Sequence, residues 1–249
     1  MALASRNITS AKRKFKSRPR RSEPDIIIPA AGMGYRMKSY GAKALINIYD
    51  DTCIIERQIE LLWSVYPKSE IFITIGFEAE KIKKRLENYP IRFIHNPIHE
   101  TTNVLCSLGL AAEATLSQEI IIVYGDLIFN ENTIKNLKGS SKIVVDKGSS
   151  FLRKSEVGVI VGENGVTNFS FGLDDKWAQI ACLTGKELDI FKQISTKEQT
   201  RQWFGYEALN YIIENGGKID YVTPKSMKIF EIDTPKDLEK IPKNKLTFG

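Results

Sequence analysis

The stretch Asp25-Ile26-Ile27-Ile28-Pro29-Ala30-Ala31-Gly32-Met33-Gly34-Tyr35-Arg36-Met37 sets the reading of the whole chain. Its apolar half does not alternate with polar residues, as expected of a strand buried on both faces of a largely parallel sheet. The strand stops in small residues, and Gly32 and Gly34 allow backbone N–H groups to approach an anion that larger side chains would block. An anion site is therefore expected at the carboxyl end of the first strand, where open α/β sheets bind ligands. The spacing lacks the third glycine of GxGxxG, and the Walker sequence GxxxxGK[ST] is absent as well.

Outward from this segment, short β-branched runs alternate with helical patterns, the order of a sheet covered by helices. Strands are expected at Asp25 to Ala30, Glu70 to Gly76, Ile91 to His95 and Ile120 to Tyr124. Helices are expected at Ile54 to Tyr66, Ala79 to Leu86 and Asn103 to Ala114. The second half carries shorter runs, Lys142 to Val145, Gly158 to Val161, Val166 to Phe171 and Ala178 to Leu183, broken by turn signals such as Glu163-Asn164-Gly165. These read as antiparallel strands added at the sheet edge, where a second substrate can be housed. Helices at Lys186 to Gln193 and Glu198 to Glu214, strands at Ile219 to Val222 and Met227 to Glu231, and a helix capped by Thr234 with Pro235 in its first turn complete the pattern. The fold class is α/β, three layers with a mostly parallel, mixed central sheet.

With 249 residues, 42% hydrophobic and 27% charged, the chain suffices for one substantial α/β core. The net charge of +6 does not belong to that core. Residues 1–22 carry Arg6, Lys12, Arg13, Lys14, Lys16, Arg18, Arg20 and Arg21 and no Asp or Glu, so this stretch reads as a basic disordered tail and residues 23–249 as one domain. A membrane-surface or solubilising arm, an RNA-binding arm and a transit peptide all fit such a tail, but no stable nucleic-acid partner is expected of the domain. Cys53, Cys106 and Cys182 are odd in number and lack CxxC spacing, which favours a reduced, cytoplasmic setting over a disulfide framework or zinc knuckle. No apolar run reaches the roughly 20 residues of a transmembrane segment. Oligomeric state is not legible.

Three further segments carry chemistry. In Ile120-Ile121-Ile122-Val123-Tyr124-Gly125-Asp126 a carboxylate follows a buried strand and points into the crevice lined by the first loop, suited to Mg²⁺, a hard cation that takes oxygen ligands. Near the end, Glu231-Ile232-Asp233-Thr234-Pro235 supplies a second carboxylate at Asp233; Glu231 faces the same side if the strand stays regular, and Asp233 can alternatively belong to the helix cap. The run Asn96 to Leu108 leads through a polar loop into a helix, with Thr102 and Asn103 able to cap it or to bond a ligand. His95 and His99 flank Pro97 and do not form a metal pair of the HExxH kind. Trp177 beside Asp174 and Asp175 can hold a cationic group, or pack ordinarily in a rim loop.

The combination Ala30-Ala31-Gly32-x-Gly34-x-Arg36 with Lys43-Ala44-Leu45 resembles the sugar-nucleotide and phosphocholine-type nucleotidyltransferase family, a MobA-like, GT-A-like group with a Rossmann-like fold. The resemblance implies an NTP substrate whose phosphates are wrapped by Ala31, Gly32 and Gly34, with Arg36 and Lys43 neutralising charge. It implies Mg²⁺ on Asp126 and Asp233, and nucleoside contacts from Thr102, Asn103 and Ser107. Ala42 departs from the proline usual before the lysine. The implied activity is transfer of NMP, from CTP by preference, to a small phosphorylated acceptor such as phosphocholine or a phosphonate, with pyrophosphate released. Hexose-1-phosphate uridylyl-, thymidylyl- or guanylyltransfer, and a nucleotide-sugar glycosyltransferase, are the alternatives.

Overall fold

The computed structural model describes residues 23–34, 41–49, 51–147 and 156–239. The basic stretch 1–22 and Arg36 lie outside the described residues. In chain order the elements are β1 (Asp25–Ala30), β2 (Asn47–Tyr49), β3 (Thr52–Cys53), α1 (Ile54–Val65), β4 (Ile71–Ile75), α2 (Ala79–Arg85), β5 (Arg92–His95), α3 (Val104–Ala114), β6 (Glu119–Val123), β7 (Leu127–Phe129) and α4 (Glu131–Ile134). They continue with β8 (Lys142–Asp146), β9 (Val157–Gly162), β10 (Gly165–Phe171), β11 (Asp175–Thr184), α5 (Gly185–Ser195), α6 (Gly205–Glu214), β12 (Asp220–Val222), β13 (Ile229–Glu231) and α7 (Pro235–Leu238).

The principal sheet runs β10-β9-β11-β6-β1-β4-β5, with β8 beside β11 and β12 beside β8. Strands β6, β1, β4 and β5 are parallel, whereas β11 is antiparallel to β6, β8 and β9. The antiparallel strands therefore continue the parallel sheet beyond β6. Successive side chains of β1 go to opposite faces, as the two-residue period demands. Ile26 and Ile28 join a core with Ile55, Ile59 and Leu62 of α1, while Ile27 joins the other core with Leu105 and Leu108 of α3. Helices thus cover both faces, which gives the three-layer α/β arrangement and explains the unbroken apolar strands.

Two expected elements differ from the structure. The helix expected over Glu198 to Glu214 is interrupted, because the Arg201 and Trp203 carbonyls accept from the Asn103 and Leu105 N–H groups at the start of α3. Those N–H groups have no partner within their own helix, so serving them takes precedence over continuing a second helix. Strand β11 is longer than expected and bulges between Trp177 and Ala181, where Gln179 has a φ of 56°. The bulge turns the start of β11 toward the carboxyl end of β6, where the cavity opens.

Candidate active site

The Gly32–Gly34 loop leaves β1 at the carboxyl edge of the parallel strands, tied to β4 by the Phe77 N–H donating to the Ala31 carbonyl at 3.0 Å. Gly32 is exposed, and a Cβ there would have no atom within 4 Å. Gly34 has a φ of 54°, and a Cβ would lie 3.0 Å from Lys43 Cγ and 3.1 Å from its Cε. The second glycine therefore makes room for the Lys43 side chain as well as for any ligand.

Lys43 crosses the loop to meet both expected carboxylates. Its Nζ donates to Asp126 Oδ2 at 3.3 Å and to Asp233 Oδ1 at 2.9 Å. The three side chains are only 16%, 22% and 19% exposed. Burial alone pulls the ammonium pKa down, but the two carboxylates outweigh it and hold Lys43 above its ordinary value. Asp126 reaches this point because Gly125 lets the end of β6 lie against β1; a Cβ on Gly125 would sit 2.6 Å from the Pro29 carbonyl oxygen. Asp233 reaches it through the antiparallel β7–β13 ribbon, in which Glu231 faces Leu127 and the Ile232 N–H donates to the Asp126 carbonyl at 2.9 Å.

The helix-cap alternative for Asp233 is resolved by its neighbours. Asp237 Oδ2 accepts from the Thr234 N–H at 2.8 Å and from Thr234 Oγ1 at 2.9 Å, so that pair caps α7 and leaves the Asp233 carboxylate facing Lys43. On the other carboxylate, Asp126 Oδ1 is buried and has no hydrogen-bond donor among the described residues.

Glu231 also lines the site, and two neighbours of it escaped the sequence reading. Lys176 Nζ on β11 lies 2.5 Å from Glu156 Oε1 and 3.4 Å from Glu231 Oε2. Burial pushes the Glu231 carboxyl up, and the charge of Asp126 adds to this more than Lys176 relieves it. Among the described residues, Asp126, Asp233, Glu231 and Glu156 thus share two ammonium groups. No local pattern marked Lys176, which follows two aspartates and reads as a turn, nor Glu156, which precedes a short strand.

Every described residue of the expected set, from Ala31 through Asp233, lines one cavity of about 810 Å³. At the end away from Asp233 the organiser is Asn96, a residue the sequence reading passed over. It is 1% exposed; its Nδ2 donates to Thr102 Oγ1 at 3.2 Å and to Ser107 Oγ at 3.0 Å, and its Oδ1 accepts from the Ile98 N–H at 3.1 Å. Asn103 caps α3 through Val104 N–H at 2.8 Å while still facing the cavity, and Thr102 does not cap. His99 covers Gly76 near the loop, whereas His95 is exposed at the end of β5, so the two histidines are not paired.

Trp177 corrects an expectation. It is 4% exposed on β11, held edge to face against Tyr124 and Phe169, and so lies in the wall of the cavity and not in a rim loop. Asp174 is exposed, and Asp175 lies 3.9 Å from Lys147. The accessible rings at the mouth are Phe171 and Phe204, 48% and 47% exposed, both packed on Tyr206.

The glycine loop, its lysine and the two carboxylates lie in the first half of the chain and at its end, and the family match covers the first of these. Residues 26–149 match the MobA-like NTP transferase domain. That segment belongs to this nucleotidyltransferase family. The chain is 31% identical over 113 residues to the bifunctional protein GlmU of Solibacter usitatus, a stretch that covers 45% of this chain and 24% of that relative. The chain therefore spans about a quarter of the length of that relative. Likeness to solved structures is broader. The inositol-1-phosphate CTP transferase of T. maritima superposes with a TM-score of 0.72 at 17% identity, covering 92% of this chain and 95% of the other. The CTP:phosphocholine cytidylyltransferase of Streptococcus pneumoniae gives 0.71 at 19% identity, over 88% and 97%. At these identities the likeness establishes the fold, which the NTP transferase domain here shares from β1 to beyond its matched segment. No helix among the described residues is long and apolar enough to cross a membrane.

Proposed function

We propose that the chain, as a single domain after its basic tail, transfers a nucleoside monophosphate from an NTP to a small phosphorylated acceptor and releases pyrophosphate. The observation that carries this reading is Lys43 held between Asp126 and Asp233 beside the glycine loop. A phosphate oxygen of the acceptor attacks the α-phosphorus, a new P–O bond forms, and the bond from the α-phosphorus to the bridging oxygen of the β-phosphate breaks. No side-chain nucleophile is needed, since the acceptor phosphate is itself nucleophilic once its charge is screened. Backbone N–H groups of Ala31 to Gly34 cradle the triphosphate, and Lys43, with Arg36 from the same loop, offsets negative charge at the α-phosphate. Thr102, Asn103 and Ser107 lie where base and ribose are bound.

The residues fit Mg²⁺. Among the described residues a carboxylate oxygen of Asp126 is buried without a donor, and Asp126 stands with Asp233 and Glu231 on the cavity wall, where a cation accompanying a polyanion offsets the repulsion between like charges. Asp126 and Asp233 would hold it, with Glu231 beside them; when bound, it neutralises phosphate charge and aligns the triphosphate.

CTP and a phosphocholine-like or phosphonate acceptor are the preferred pair. Two of the similar structures act, by their names, with CTP, and the half-exposed rings of Phe171 and Phe204 offer faces to a cationic head group, worth about 0.5–2 kcal/mol. A hexose-1-phosphate is the second reading, because the same rings can stack on a sugar. The nucleotide-sugar glycosyltransferase reading loses ground: Leu127 and Ile128, which follow Asp126, are buried in β7, so no DxD pair forms there. Three free, buried cysteines fit a reducing cytoplasm. The test is pyrophosphate release from each of four NTPs with phosphocholine, aminoethylphosphonate and sugar-1-phosphates in Mg²⁺. Release with one acceptor class assigns it; silence across the panel removes the proposal.

A further inference from the structure

We propose that Glu78 is a positioning residue that fixes Lys43 by gripping the backbone just before it, an inference that rests on the nucleotidyl-transfer reading above. Glu78 lies 36 positions along the chain from Ala42, at the corner between β4 and α2, yet its Oε2 accepts from the Ala42 N–H at 2.8 Å. Ala42 is 2% exposed, so this N–H has no access to water and needs a protein acceptor. Gly41 is shaped for the contact: its φ is 76°, and a Cβ there would fall 2.6 Å from Glu78 Oε2. Glu78 itself takes a φ of 51°, a strained state for a residue with a Cβ, and Lys81 donates to its other oxygen. Those bonds, from Lys81 and then from the Ala42 amide, keep its carboxyl below the usual range, so it is an anion when it grips the loop. The same corner holds the glycine loop through the Phe77 N–H bond to Ala31, so both walls of the phosphate site are hung from one point.

Ala42 has φ −64° and ψ 120°, angles that a proline adopts without strain. A proline would fix the chain by its ring but carry no N–H, and its Cδ would occupy the space of the bond to Glu78. Two solutions to one problem are therefore mutually exclusive, which yields a test with a sign. Glu78→Ala should lower kcat about 10- to 100-fold, as a misplaced charged group does, with a smaller change in KM for NTP. Glu78→Gln retains an acceptor oxygen and should stay within about threefold of wild type. Ala42→Pro alone should be impaired like Glu78→Ala, whereas Glu78→Ala combined with Ala42→Pro should regain most of the activity.

A second readout needs no substrate. Competitive acylation of lysines, followed by mass spectrometry, should find Lys43 protected in wild type, in Glu78→Gln and in the double variant. Labelling should be faster by about tenfold in Glu78→Ala and in Ala42→Pro. Should Glu78→Ala fail to fold, Ala42→Pro removes the same bond and the double variant still reports its rescue. Unchanged Lys43 labelling in both single variants, or single defects that simply add in the double, overturns the proposal. Wild type inactive on every substrate pair overturns the transfer reading instead and leaves the labelling result to stand alone.

Discussion

Asp126→Asn separates a functional carboxylate from a structural one, because the geometry gives opposite signs for activity and stability. The substitution removes the charge that pairs with Lys43 at 3.3 Å, but Lys43 keeps the shorter bond to Asp233 at 2.9 Å. Losing one of two charge-assisted bonds costs about 1–2 kcal/mol. In return the protein no longer keeps an anionic oxygen, Asp126 Oδ1, buried without a donor among the described residues, a penalty of about 1–3 kcal/mol. Repulsion toward Glu231, whose carboxyl is pushed up by burial and then by Asp126, is relieved as well. The two sides nearly cancel, so stability should change by no more than about 1 kcal/mol, or about 2–4 °C in Tm for a chain of this size, with an upward shift favoured. Turnover should fall on the order of 10³-fold, the scale on which a preorganised charge at a reacting phosphate acts. Pyrophosphate release and thermal melting of the same preparation give both numbers. Turnover within about threefold of wild type, or a Tm loss beyond about 10 °C, would falsify the assignment of Asp126 to the reaction.

The two loop glycines should behave differently, since only one is structurally constrained: Gly34→Ala should lose about 1 kcal/mol in thermal melts and at least about tenfold in kcat by displacing Lys43, whereas Gly32→Ala should melt like wild type and raise KM for NTP. Asn96→Ala should cost about 2–3 kcal/mol in urea unfolding through three lost bonds, and raise KM for NTP more than it lowers kcat; an unchanged KM would detach Thr102 and Ser107 from nucleotide binding. For Glu56, burial raises the carboxyl pKa, but Arg85 and the Cys53 N–H outweigh it and leave it lowered, so its contribution is full above the ordinary value of 4.5 and fades as pH falls below that. Glu56→Gln should therefore be less stable by about 1 kcal/mol at pH 7, discounted for the exposure of Arg85, and the difference should shrink steadily as pH falls below 4.5.

The fold was legible where one residue type serves one purpose. Ile26 to Ile28 read as a strand buried on both faces, and Gly125-Asp126 after Ile120 to Val123 read as a carboxylate at the carboxyl end of a buried strand, which is where they lie. The reading failed where long-range bonding decides local structure. Nothing within Glu198 to Phe204 announces that its carbonyls serve α3, and that service is what ends the helix expected there. Lys176 and Glu156 were invisible for a related reason: each is an ordinary surface residue by local pattern, and only the bulge in β11 carries the lysine to Glu231. Asn96 stood in the quoted segment but gave no sign that all three of its side-chain bonds would stay within the loop and helix that follow it.

The meeting of Asp126 with Asp233 needs an explanation beyond charge, because the two carboxylates repel each other even as Lys43 bonds to both. The β7–β13 ribbon that aligns them pairs three residues on each side, too few to persist alone. Its anchor is apolar. Ile232, fully buried between Glu231 and Asp233, packs with Ile46, Ile54 and Ile128, and each buried isoleucine contributes about 1.5–3 kcal/mol. Ile46 and Ile54 flank the β2–β3 hairpin, whose first strand follows Lys43 closely, so one small cluster grips the lysine segment and the carboxylate segment together. The polar site is thus strained by its own charges and held in register by four isoleucines behind it. That division of labour leaves the placement of the two carboxylates to apolar packing, so their mutual repulsion does not pull the ribbon apart.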